Sequence, residues 1–172
     1  RSTVPVLTAK FQPTAGVFEL EQQSFTPVST LSENFAWSAE GKCVGLLSAA
    51  GGKGQLRAPF WLPQEWELAL HRRKGALFLN QGYPLRLDEE IELSLPATAQ
   101  QVLLPATVED PSEPLRWKVE WSGSGDKVIA RLRVELARGE VSLADTPALQ
   151  KQLRKLFSAL AAGASFALPA PP

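Results

Sequence analysis

The chain has 172 residues, 44% of them hydrophobic and 21% charged, so it carries enough apolar surface for a packed core and is not a disordered segment. Lys+Arg and Asp+Glu both total 18, giving a formal net charge of zero, and a balanced chain lacks the basic stripe that nucleic-acid backbones and anionic membrane surfaces demand. Its apolar runs are cut by Gly, Pro or charge before the roughly 18 residues of a membrane helix, so direct membrane insertion is not expected.

Taken in order, residues 1–34 are rich in Thr, Ser, Pro and Gln, with short alternations such as Val17-Phe18-Glu19-Leu20. They read as irregular or edge strands broken at Pro5, Pro13 and Pro27. Phe35 to Ala39 and Cys43 to Leu47 flank Glu40-Gly41-Lys42, the pattern of a hairpin turning at 40–42. Gly51-Gly52-Lys53-Gly54 reads as a loop, and Gln55 to Leu62 as a strand stopped by Pro63. In Trp66-Glu67-Leu68-Ala69-Leu70, period-two spacing places residues 66, 68 and 70 on one strand face. Ile91, Leu93 and Leu95 alternate with Glu90, Glu92 and Ser94. Trp117, Val119 and Trp121 alternate with Arg116, Lys118 and Glu120. After Ser122 to Asp126, residues Val128, Ala130, Leu132, Val134 and Leu136 oppose Arg131, Arg133 and Glu135, so this pair predicts a long antiparallel hairpin with one solvated face.

The period then changes. Leu149, Leu153, Leu156, Phe157 and Leu160 trace the stripe of an amphipathic helix over 147–162, with Lys151 and Lys155 on its opposite face. Thr146 is the expected N-cap, Pro147 the first helical residue, and Gly163 a left-handed closing glycine. Residues 169–172 form a Pro-rich tail. The fold class expected is mainly β: an antiparallel β-sandwich, as one unit or two abutting β units, with one C-terminal amphipathic helix. Residues 1–79 form an N-terminal β region and residues 80–168 the sandwich and hairpin region. No methionine is present and the chain starts at Arg1, from which a longer parent polypeptide is expected.

Tyr83 to Pro96, followed by Val102-Leu103-Leu104-Pro105, has the order and spacing of a known bacterial domain. The likeness continues through the hairpin of Leu115 to Trp121 and Lys127 to Leu136, the turn Ala137 to Val141, and the helix from Thr146 to Leu160. This stretch resembles the C-terminal β-sandwich domain of unknown function that follows transglutaminase-like, papain-fold domains in multidomain bacterial proteins. It departs where that family opens its last helix with an aromatic; here Thr146 or Pro147 stands there. The resemblance covers roughly residues 80–168. It implies a bacterial, periplasmic or cell-envelope parent whose chemistry lies on another domain, and a neighbouring domain or an envelope protein as partner.

Candidate chemistry in the chain itself is sparse. A papain-like site needs a thiolate, a His and an orienting group. The chain has one Cys, Cys43, in an expected strand, and one His, His71, beside Arg72, Arg73 and Lys74. A lone Cys also rules out an intrachain disulfide and an all-thiolate metal site. Ser122-Gly123-Ser124-Gly125 lacks the outer glycine of a nucleophile elbow and joins two strands. In Gly51 to Gly54, Leu47 stands where a phosphate loop needs its first glycine and Gly54 where it needs Ser or Thr. Asp88-Glu89-Glu90 and Glu109-Asp110 lack calcium-loop spacing and read as solvated turns. We therefore expect no catalytic residue, no cofactor and no metal. Phe60, Trp61 and Trp66 remain as a candidate ligand or docking surface. The function expected is a non-catalytic accessory or scaffold domain; the rival reading is a glycan- or peptide-binding module using exposed aromatics near Trp61 and Trp66.

Overall fold

A computed structural model describes residues 11–13, 15–25, 37–63, 65–71, 74–79 and 83–168. The strands are β1 (Phe11–Pro13), β2 (Val17–Phe25), β3 (Trp37–Val44), β4 (Leu47–Ala50), β5 (Lys53–Arg57), β6 (Trp61–Pro63) and β7 (Leu77–Phe78) in the first half. They continue as β8 (Leu85–Ser94), β9 (Gln100–Leu103), β10 (Val108–Asp110), β11 (Leu115–Ser124), β12 (Lys127–Leu136), β13 (Glu140–Val141) and β14 (Gly163–Ala167). Among the described residues two helices interrupt them, the single turn α1 (Glu65–Leu68) and the long α2 (Thr146–Ala161). Among the described residues all strand pairings are antiparallel, and the protein is a mainly β, sandwich-like fold with one substantial C-terminal helix. The Pro-rich tail at 169–172 and the breaks at Pro5 and Pro27 lie outside the described residues.

The main sheet runs β10-β11-β12-β8. Its centre is the expected hairpin, in which Ser124 faces Lys127 and only Gly125 and Asp126 make the turn. Gly125 has φ +63, the left-handed value that a two-residue hairpin of type II′ asks of its first residue. Ser122 to Ser124, expected in a loop, belong to β11. Alternation sorts the two faces: Leu115, Trp117, Val119, Val128, Ala130, Leu132, Val134 and Leu136 are buried, and charged residues line the other side. There Arg131 contacts Asp88 and Glu90 at 3.3 and 3.1 Å, Arg133 contacts Asp88 at 3.5 Å, and Arg86 contacts Glu135 at 3.1 Å. Such exposed pairs contribute little each, but they keep the face wet and the register fixed. Asp88, Glu89 and Glu90 are thus mid-strand, not in a turn as expected.

The second sheet runs β4-β5-β14-β9, and its centre is the last strand of the chain. β14 follows α2 almost at once and inserts between β5 and β9. Gly163 does not close the helix in a left-handed conformation: α2 ends at Ala162 with φ −70 and ψ 149, already extended. Glycine is needed for a different reason, since a Cβ at 163 would lie 2.5 Å from the backbone oxygen of Leu56 on β5. Ala164 and Phe166 turn inward from β14 and join Leu56 in the core. One core receives Leu56, Phe60, Leu62, Trp66 and Leu77 together with the main-sheet residues and Leu149, Leu153, Leu156 and Leu160 of α2. Residues from both sides of position 79/80 therefore share it.

Three further details of local structure differ from the sequence expectation. Glu40 to Lys42 lie inside β3, and the chain turns at Gly45-Leu46 instead. Residues 65–68 are helical, not extended; a five-residue window after a proline is too short for period two to exclude one helical turn. Thr146 is not the N-cap but the first helical residue, and its hydroxyl donates back to the Ser142 carbonyl at 2.8 Å. Asp145 takes the cap position without a side-chain cap bond, while its carboxylate accepts the Ser142 hydroxyl at 2.7 Å.

Candidate functional site

Phe60 and Trp66 do not form a surface. Phe60 is 0% exposed and Trp66 1%, both wholly inside the core. The cause is local: Phe60 stands two residues before buried Leu62 and is buried with it, and in the helical turn after Pro63 Trp66 is buried as well. Trp66 meets Tyr83. Burial pushes the Tyr83 phenol up to about 12, the neighbouring Trp66 indole pulls the other way, and the Glu65 charge adds to the rise. Tyr83 is thus a neutral packing group at physiological pH.

Trp61 alone of the three keeps a half-exposed side chain. Its ring meets that of Phe18 of β2 in a T-shaped contact, with centroids 5.4 Å apart and planes at 79°. Its backbone N–H donates to Glu89 Oε2 at 3.0 Å. Trp61 is therefore a joint between the N-terminal strands and β8. Trp117 is buried on the core face of β11, as expected for a packing residue.

The remaining chemistry-bearing groups stand apart in role. Burial pushes the Cys43 thiol up, and its sulfur lies 3.9 Å from the Ala15 carbonyl oxygen, to which it donates. A thiol so placed stays protonated near neutral pH, the reverse of an activated nucleophile. His71 is exposed, and its backbone carbonyl accepts a bond from Gln150 at 3.0 Å. Among the described residues no group of three His, Cys, Asp or Glu side chains is placed to hold a metal ion. Among them also, no helix is long and apolar enough to cross a membrane. Asp110, expected in a solvated turn, is buried on β10 and accepts bonds from Ser112 and from Lys155 Nζ at 3.1 Å. Those bonds hold its carboxyl down at about 2.

Exposed apolar side chains lie elsewhere. β2 and β3 pair as a long ribbon in which Val17 faces Val44. Val17 is 63% exposed and Val44 50%, and Leu47, three residues on, is 48% exposed. Leu47 opens β4, an edge strand of the second sheet whose four residues Leu47-Ser48-Ala49-Ala50 are all exposed and uncharged. Among the described residues no strand pairs with the outer edge of β4. Protected edges usually carry Lys, Pro or a bulge, and β4 carries none. Sequence reasoning passed over these residues because the Val17–Val44 pairing spans the chain segment 18–43. The one local signal was the charge-free run from Cys43 to Gly52.

No family model, no curated protein and no solved structure matches this chain. What its structure defines is a class: a mainly antiparallel β domain closed by a C-terminal helix and strand.

Proposed function

We infer that this chain is a non-catalytic accessory domain of a larger bacterial transglutaminase-like protein, orienting or docking a neighbouring domain or an envelope partner. The observation that carries the docking role is the exposed Val17–Val44 pair, followed three residues on by exposed Leu47, which opens the bare edge strand β4. Exposed apolar side chains beside an unpaired edge suit a protein partner that covers them and continues the sheet. The transglutaminase-like neighbour rests on the order and spacing of residues 80–168 alone. Burial of Phe60 and Trp66 takes away most of the aromatic surface that a glycan- or peptide-binding module would use. The full reading frame tests the parentage. A papain-like domain bearing Cys, His and Asp in the same polypeptide is the expected finding, and a frame without one sinks that part of the reading.

A further inference from the structure

Glu89 is a carboxylate in an apolar row. The alternation of β8 turns Leu85, Leu87, Ile91 and Leu93 to the core side, and Glu89 sits in the middle of them. Opposite it on β12 stands Leu132, with Ala130 and Val134 on either side of that. Its sequence neighbours Asp88 and Glu90 face the other way, where Arg131 and Arg133 hold them. From β6 the group that reaches the carboxylate is the Trp61 N–H, 3.0 Å from Oε2. The helical turn after β6 carries Glu65, whose charge acts on Tyr83, and the exposed Glu67. Trp61 is also where the N-terminal elements attach. β6 pairs with β1, Pro13 standing opposite Trp61, and the Trp61 and Phe18 rings meet in a T-shaped contact.

We propose that Glu89 is a protonation-sensitive clasp, holding the β1–β6 pair against the main sheet when neutral and releasing it when ionised. A neutral carboxyl can accept the Trp61 N–H through its carbonyl oxygen and sit among Leu87, Ile91 and Leu132 at small cost. An ionised one needs more donors than a single N–H supplies, and lifting β6 off β8 lets water provide them. Burial pushes the Glu89 carboxyl up to about 7, and the Trp61 hydrogen bond only partly offsets this. The closed state therefore binds the proton more tightly than the open one. The sign follows: stabilisation is fully present below the ordinary value of 4.5 and is lost as pH rises through about 7.

The test is amide hydrogen exchange at Trp61 in the whole chain, corrected for the intrinsic pH dependence of exchange. Between about pH 6 and pH 8 the opening equilibrium should rise about tenfold in the wild type, the ratio that linkage gives for these two proton affinities. In Glu89→Gln it should stay flat. A flat wild-type profile, or an equal rise in the Gln variant, overturns the clasp. Should Glu89→Gln not fold, the wild-type Trp61 amide chemical shift decides alone. An inflection near neutral pH supports the proposal, and a featureless titration from about pH 5 to pH 9 overturns it.

Discussion

Gln152 Oε1 accepts the backbone N–H of Leu115 at 3.2 Å, joining the middle of α2 to the first residue of β11. The same amide donates to the Ser112 carbonyl at 2.8 Å and to the Glu113 carbonyl at 3.3 Å. Both Gln152 and Leu115 are buried, so no water stands ready to replace the bond. Gln152→Leu should therefore cost about 1–3 kcal/mol, because it leaves the buried Leu115 N–H unsatisfied. Lys151→Ala, one residue earlier and exposed, should cost less than about 0.5 kcal/mol. Urea titration of both variants checks the difference.

The helix stripe was visible in the sequence, but its energetic centre was not. Leu153 and Leu156 are almost fully buried, whereas Phe157 packs at the margin and is only partly buried. Leu156→Ala should cost about 2–5 kcal/mol through lost transfer energy and the cavity left behind. Phe157→Ala should cost clearly less, despite its larger side chain. Equal midpoint shifts in a denaturant titration would show that the margin is as tightly packed as the centre.

Lys155 lies opposite the stripe and reads as a solvated residue, yet its ammonium reaches the buried Asp110 at 3.1 Å. With Ser112 it keeps the Asp110 carboxyl at about 2, below the ordinary 3.8. A depressed carboxyl stabilises the fold above its ordinary value, and that contribution is lost as pH falls through about 2. Asp110→Asn should flatten the acid limb of stability between about pH 4 and pH 2 and lower stability at neutral pH. Lys155→Ala should weaken the same limb without abolishing it, since the Ser112 bonds remain. An unchanged acid limb in Asp110→Asn would contradict the role given to this carboxylate.

How far the sequence reaches depends on whether a signal is local. The β11–β12 hairpin and α2 were legible because ten-residue alternation and a repeated 3.6-period stripe each outvote chance. β14 was not legible. Gly163-Ala164-Ser165-Phe166-Ala167 is five small or mixed residues, and its strand character comes from pairing with β5, whose partners lie over a hundred positions earlier. Trp66 was misplaced because period two and one helical turn agree over so short a window. Glu89 could have been found: carrying the alternation of Ile91 and Leu93 back by one step puts it on the apolar face. The exposed apolar pair could not, because Val17 and Val44 meet only through the folded ribbon.

The docking role is tested most directly by a photo-crosslinking residue placed at Val44 in the full-length polypeptide, with Lys151 as the control position. Both sites are exposed, but only Val44 belongs to the exposed Val17–Val44 pair, three residues before the bare edge strand β4. Mass spectrometry of the products should map Val44 crosslinks to one defined segment of the neighbouring domain or of a single envelope partner. Leu47→Glu should abolish those crosslinks while leaving the thermal midpoint within about 2 °C, as expected of a surface change. Val44 crosslinks no more specific than those from Lys151, or crosslinks that survive Leu47→Glu, would contradict the claim that this surface docks a partner.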